Sequence, residues 1–180
     1  MVFAKYFLLC WTLLFSLSAV GQASLQLIDA EKIHSLTDQM RMLVDEQGNL
    51  GIDQVMARQG EFQWPAQHNP NYGFADDVLW FTTSFSNVSQ QPIWLVDIGY
   101  AQNDNVDIYL VAQGKVLAHS KQGKNNAGQA FRYPSLEATL PYATRLDLYI
   151  RVHSEGEARV VPVTLSAEPL HVKKQALENL

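Results

Sequence analysis

The sequence predicts a mainly β domain, an antiparallel β-sandwich or jelly roll with one or two short helices at its N-terminal side. Two observations carry that prediction. Between Val78 and Leu165, seven or eight short apolar runs follow one another with turn residues between them and no helical pattern intervening. In the clearest runs apolar and polar positions alternate with the period of two that a half-buried strand requires. Composition agrees: the 180 residues are 47% hydrophobic and 17% charged, and a chain this apolar is not intrinsically disordered.

Taken in order, Leu25-Gln26-Leu27 alternates like a short strand. From Ala30 to Val44 the apolar residues Ile33, Leu36, Met40, Leu43 and Val44 recur at three- and four-residue steps, which predicts an amphipathic helix capped by Asp29. Turn residues Asp45 to Asn49 follow, and Ile52, Val55 and Met56 mark a second short helix ending near Gly60. Phe62, Trp64 and Pro65 open a stretch rich in Asn, Pro and Gly that runs to Asp77 and reads as a surface loop. Val78 to Phe85 then places Leu79, Phe81 and Phe85 opposite Trp80, Thr82 and Ser84. Ile93 to Ile98 is nearly all apolar, so both its faces should be covered. Val106 to Val111 and Lys115 to His119 flank Ala112-Gln113-Gly114 as a hairpin, and Gly123 to Gly128 is a polar loop. Leu136, Ala138 and Leu140 form one strand face. Arg145 to His153 sets Leu146, Leu148, Ile150 and Val152 against Asp147, Tyr149, Arg151 and His153, and Ala158 to Leu165 runs back.

The N-terminus reads as an export signal. Lys5 precedes the apolar run Tyr6 to Val20, and Gly21-Gln22-Ala23 supplies small residues for cleavage before Ser24. The domain plan is therefore a signal peptide over 1–23, one β-sandwich over 24–169 and a polar tail over 170–180. Thirteen Lys plus Arg against eighteen Asp plus Glu give a net charge of −5, which disfavours nucleic acid as a partner. The single cysteine, Cys10, lies inside the signal, so disulfides, thiolate catalysis and Cys-ligated metals are excluded from the mature chain.

Catalytic patterns are absent. No Gly-x-Ser-x-Gly elbow occurs, and His34, His68, His119, His153 and His171 are scattered without metal-ligand spacing. Asn103-Asp104-Asn105-Val106-Asp107 gathers oxygen ligands, but the glycine and closing glutamate of a Ca²⁺ loop are missing, and turn capping explains it better. No enzyme activity, metal or cofactor is expected.

Four segments occur in a telling order: Trp80-Phe81-Thr82-Thr83-Ser84-Phe85-Ser86-Asn87, Trp94-Leu95-Val96-Asp97-Ile98-Gly99-Tyr100, Asn105-Val106-Asp107-Ile108-Tyr109-Leu110, and Leu148-Tyr149-Ile150-Arg151-Val152-His153-Ser154. With Met42 to Asp45 and Gly48 to Leu50 ahead of them, they resemble the type 2 extracellular domain of bacterial seven-transmembrane receptors with diverse intracellular signalling modules. The resemblance covers roughly residues 25 to 168. It implies a jelly-roll sandwich like a carbohydrate-binding module, facing the periplasm, ahead of seven membrane helices and an output module. The sequence ends at Leu180 before any such helix, so it reads as a receptor fragment or as a free periplasmic domain.

A sugar ring needs an aromatic platform beside planar polar groups. Outward alternation places Trp80, Tyr109, Tyr149 and Arg151 on one sheet surface if their strands are neighbours. Tyr100, Asn103, Asp104 and Asn105 fall on a loop between strands, and Arg132 with Tyr133 forms a second loop edge. The competing reading buries the four outward residues under a second layer or the N-terminal helix, and Trp94, in line with Val96 and Ile98, is expected in the core. Two functions follow. One is a ligand-sensing domain for a carbohydrate or other small molecule. The other is a non-catalytic module docking on a membrane receptor or another periplasmic signalling protein.

Overall fold

The computed structural model describes residues 25–66, 69–126 and 132–167. The expected export segment, the polar tail, His68 and His171 lie outside them. Among the described residues there are ten strands: β1 Leu25–Leu27, β2 His34–Ser35, β3 Arg41–Asp45, β4 Val78–Asn87, β5 Ile93–Ile98, β6 Asn105–Ala112, β7 Lys115–Gln122, β8 Ser135–Thr139, β9 Arg145–His153 and β10 Val163–Ala167. One helix, α1 Ile52–Ala57, and two 3-10 turns, Thr37–Gln39 and Gln59–Glu61, complete the set. Strands β1-β4-β9-β6-β7 form one sheet, with β3 also paired to β4, and β2-β10-β5-β8 form the other. Only β1 runs parallel to its neighbour; the other strand pairs are antiparallel.

The period-two alternation explains why the sheets face each other. Leu79, Phe81 and Phe85 of β4, Leu146, Leu148, Ile150 and Val152 of β9, and Val106, Ile108 and Leu110 of β6 share one buried cluster with Trp94, Val96, Ile98, Leu136, Val163 and Leu165 of the opposite sheet. The expected sandwich is thus present, and Trp94 sits in its core. As its composition required, β5 is buried on both faces, with Leu95 and Asp97 covered opposite that core. The β6–β7 hairpin turns at Gln113 and Gly114, both at positive φ (51° and 73°), as a two-residue turn matched to strand twist demands.

The helix expected over Ala30 to Val44 is not formed. That segment carries β2, a 3-10 turn and β3, and β3 pairs antiparallel with β4 from Arg41 opposite Thr82 to Asp45 opposite Val78. The reason lies in where its side chains go. Met40 and Met42 pack into the main core whereas Leu43 packs into a second cluster on the far side of the sheet. Apolar residues on both faces of a strand mimic the three- and four-residue spacing of a helix, and the open edge of β4 decides between them. Asp29 serves a turn instead, its Oδ1 accepting the Glu31 N–H at 2.9 Å. The second helix is present as α1, with Gln54 Oε1 accepting the Gly51 N–H at its start.

One glycine is required by close approach. Gly123 has φ +116°, and a Cβ there would lie 2.5 Å from the Asp104 carbonyl oxygen. Its neighbours Lys124 and Asn125 donate backbone N–H groups to the Asn103 and Asp104 carbonyls at 2.9 and 3.0 Å. Gly123→Ala should therefore destabilise the domain by about 1 to 3 kcal/mol, measured as a lowered urea midpoint, whereas Gly156→Ala, with open space around it, should cost less.

Candidate functional site

The register brings the four outward residues together. Trp80 stands opposite Arg151, Tyr109 opposite Tyr149, and Asp107 opposite Arg151, so Trp80, Tyr109, Tyr149 and Arg151 do share the outer face of the larger sheet. That face is covered. Trp80 is 0% and Tyr149 2% exposed, packed with Val55 of α1, Phe62, Val78 and Val111, and flanked by Leu43, Leu50, Ile52 and Met56. Neither ring stands as an open platform in this structure, and the covering layer is the segment that joins β3 to β4. Phe62 meets Tyr149 edge-on at 6.2 Å.

Tyr109 and Arg151 are the members of the set that reach solvent. Tyr109 stacks on Trp80 at 6.0 Å and on His119 at 4.1 Å with the rings 4° apart. His119 Nε2 lies 3.0 Å from Asp107 Oδ1, and Arg151 reaches Asp107 Oδ2 at 3.7 Å while donating to the Gly48 carbonyl at 3.3 Å. Arg151 thus ties the β3–α1 turn to the sheet. That turn is closed further by Asp45 Oδ2, which accepts the Leu50 N–H at 2.9 Å.

The loop candidates divide in the same way. Asn103 is buried and hydrogen-bonds the Val160 backbone, its Nδ2 donating to the carbonyl at 2.8 Å and its Oδ1 accepting the N–H at 3.3 Å. Asp104, also buried, accepts the Glu155 N–H at Oδ2 and pairs with Lys124 at 3.3 Å through Oδ1. That hydrogen bond holds the Lys124 ammonium above the usual lysine range. These two residues clasp three connections into one end of the sandwich. Tyr100 and Asn105 are half-buried beside them, Asn105 Oδ1 accepting from Asn126 at 3.4 Å. Arg132 is exposed, its guanidinium 5.5 Å over the Tyr133 ring.

Sequence reasoning did not single out a cleft of about 180 Å³ at the edge of the main core. Trp64, Tyr72 and Met40 give it apolar walls, and Thr37, Asp38 and Asn69 give it polar groups. Trp64 is 57% exposed, although it is a large apolar ring on a loop; such an exposed tryptophan was the available signal. Tyr72 is held from behind, its ring 4.8 Å from that of Phe81. Its backbone is fixed by Arg159, a guanidinium only 4% exposed, which pairs with the Asp77 carboxylate and donates to the carbonyls of Tyr72 at 3.0 Å and Gly73 at 3.4 Å. Thr37 is anchored through its hydroxyl, which accepts the Val163 N–H at 3.0 Å.

Two packed sheets of mostly antiparallel strands around one shared core define a mainly β sandwich domain. The chain belongs to the 7TMR-DISM extracellular 2 family, whose sequence profile matches residues 37–167. It is therefore an extracellular sensor domain of the receptor type, with an exported location. No curated protein matches the chain. Among the described residues, no helix is long and apolar enough to cross a membrane.

Burial makes Tyr149→Ala a core truncation, expected to lower stability by about 3 to 5 kcal/mol in urea unfolding, whereas Trp64→Ala should change it by less than about 0.5 kcal/mol. A pH dependence also follows. Burial, reinforced by Asp147, Asp107 and Asp38 respectively, raises the Tyr149, Tyr109 and Tyr72 phenols above their ordinary value. A raised phenol leaves stability intact below about pH 10, where unfolded tyrosine titrates, and stability falls as pH rises from there through the folded values. Melts between neutral pH and strong alkali should show that decline, and Tyr149→Phe should make it shallower.

Proposed function

We propose that this chain is the periplasmic ligand-sensing domain of a bacterial signalling receptor, exported by a signal peptide cleaved before Ser24, and that it binds a small molecule of the carbohydrate class. The observation that carries this reading is the cleft under Trp64. An exposed indole facing a loop cavity, with Tyr72 as a second ring and Asp38, Asn69 and Thr37 as polar lining, supplies both surfaces that a sugar ring presents: apolar C–H faces and hydroxyls. Membership of a sensor family supports the role, and the Arg159 clamp on the Tyr72 backbone supports a preset geometry that loses little entropy on binding. Tyr109 and Arg151, the half-buried members of the outer-face set, form a further edge at which a ligand or the receptor's own membrane part can be met. Occupancy of the cleft would be passed on to that membrane part as a protein contact. No chemical step is assigned to the domain.

The test is a melting scan of the full chain against a panel of mono- and oligosaccharides. A ligand that fits should stabilise the fold by about 2.7 kcal/mol at about one hundred times its dissociation constant. Trp64→Ala should reduce that shift with the unliganded melting temperature retained. A shift that persists undiminished in Trp64→Ala would remove the cleft from the function.

A further inference from the structure

We propose that a second cleft, at the opposite end of the sandwich, binds a neutral saccharide, with Tyr142 as its stacking platform and the carboxamides of Gln90 and Gln91 as its hydroxyl-binding groups. The cleft measures about 470 Å³ and lies between the β4–β5 connection and the β8–β9 connection. Its distance from the Trp64 cleft follows from the direction of β5. That strand begins at Ile93, beside Pro92 of the second cleft, and ends at Ile98, whose partner Val163 bonds Thr37 of the first.

Three features single it out. Tyr142 is 65% exposed, an aromatic face left open to solvent at the cavity wall. The polar groups around it, from Asn87, Ser89, Gln90 and Gln91, are all uncharged, so an ionic ligand would find no opposite charge in the lining. A carboxamide offers a donor and an acceptor in one plane, which matches adjacent hydroxyls on a sugar ring. Gln90 and Gln91 are both exposed, so their amides are presented to solvent.

The backbone beneath is already ordered. Buried Asn87 donates from Nδ2 to the Gln91 carbonyl at 2.8 Å, and its Oδ1 accepts both the Ser89 N–H at 3.0 Å and the Ser89 hydroxyl at 2.7 Å. The Trp94 indole N–H donates to the same Gln91 carbonyl at 2.9 Å, which anchors the loop to the main core. Across the cleft, Leu140 N–H donates to the Pro92 carbonyl and Ala143 N–H to the Asn87 carbonyl, both at 2.8 Å. The two walls are therefore bonded to each other, and a ligand need not order them on arrival.

Isothermal titration of the full chain tests this, using neutral tetrasaccharides of glucose in β-1,4 and α-1,4 linkage and of N-acetylglucosamine, with tetragalacturonate as the charged comparison. At least one neutral probe should bind at millimolar concentration. Tyr142→Ala should weaken that site about tenfold, and the double variant Gln90→Ala/Gln91→Ala should weaken it likewise. Trp64→Ala should leave it unchanged, which separates this site from the cleft proposed above. Unchanged melting temperatures for both sets of variants would show that the fold is retained. The proposal is overturned if no neutral probe binds, if binding to the Trp64→Ala variant survives the addition of Tyr142→Ala, or if tetragalacturonate binds as tightly as the neutral chains.

Discussion

Burial of the β4–β9–β6 ladder on both of its faces is the constraint from which the rest of the domain follows. Inward, Phe81, Phe85, Leu148 and Ile150 meet the second sheet. Outward, Trp80 and Tyr149 would each leave a large ring in water, and burying such a side chain is favourable by about 1.5 to 3 kcal/mol. The chain between β3 and β4 answers that demand by folding α1 and Phe62 across the sheet. The sandwich is therefore three layers thick over part of its area, with two separate apolar clusters rather than one. Its cost is visible in the Trp80 indole N–H, which is buried without an acceptor among the described residues.

Polar residues hold the loops where the apolar layers stop. Arg159, almost fully buried, bonds the chain from Tyr72 to Asp77, and the Asn103 side chain does the same for Val160. These are buried groups satisfied by backbone, an arrangement that is costly to break because removing one partner strands the other. It also explains why long connections in this domain can present fixed surfaces. The Trp64 cleft and the Tyr142 cleft both sit on connections pinned in this way, at opposite ends of the sheets.

Much of the fold was legible in the sequence because strands report themselves through alternation. From Val78 to His153 the expected strands, the Gln113-Gly114 turn and the core position of Trp94 match the structure, whereas the run expected over Ala158 to Leu165 is a strand only from Val163. The segment from Ala30 to Val44 was misread because its apolar residues serve two cores, which erases the period of two. The site was less legible. That Trp80, Tyr109, Tyr149 and Arg151 share a face could be inferred from their strands, but their cover could not, because α1 lies more than twenty residues away from the strand it covers. Asn103 and Asp104 looked like loop residues open to a ligand, and their side chains turned out to be spent on the Val160 and Glu155 backbone.

Alternation and turn chemistry, properties of a few consecutive residues, were enough by themselves to determine that the chain makes a mainly β sandwich and which residues of each strand point the same way. The ordered aromatic and polar segments, each local as well, were enough to suggest the sensor family. Only the tertiary structure decided which of two sheet faces meets the opposite sheet, which is roofed by α1, and which rings are left in water. Those outcomes depend on pairings between residues far apart in sequence, such as Met42 with Phe81, Tyr72 with Arg159 and Asn87 with Ala143. A local pattern says that a ring needs somewhere to go; the partner that covers it, or fails to, is set by the chain's return from a distance.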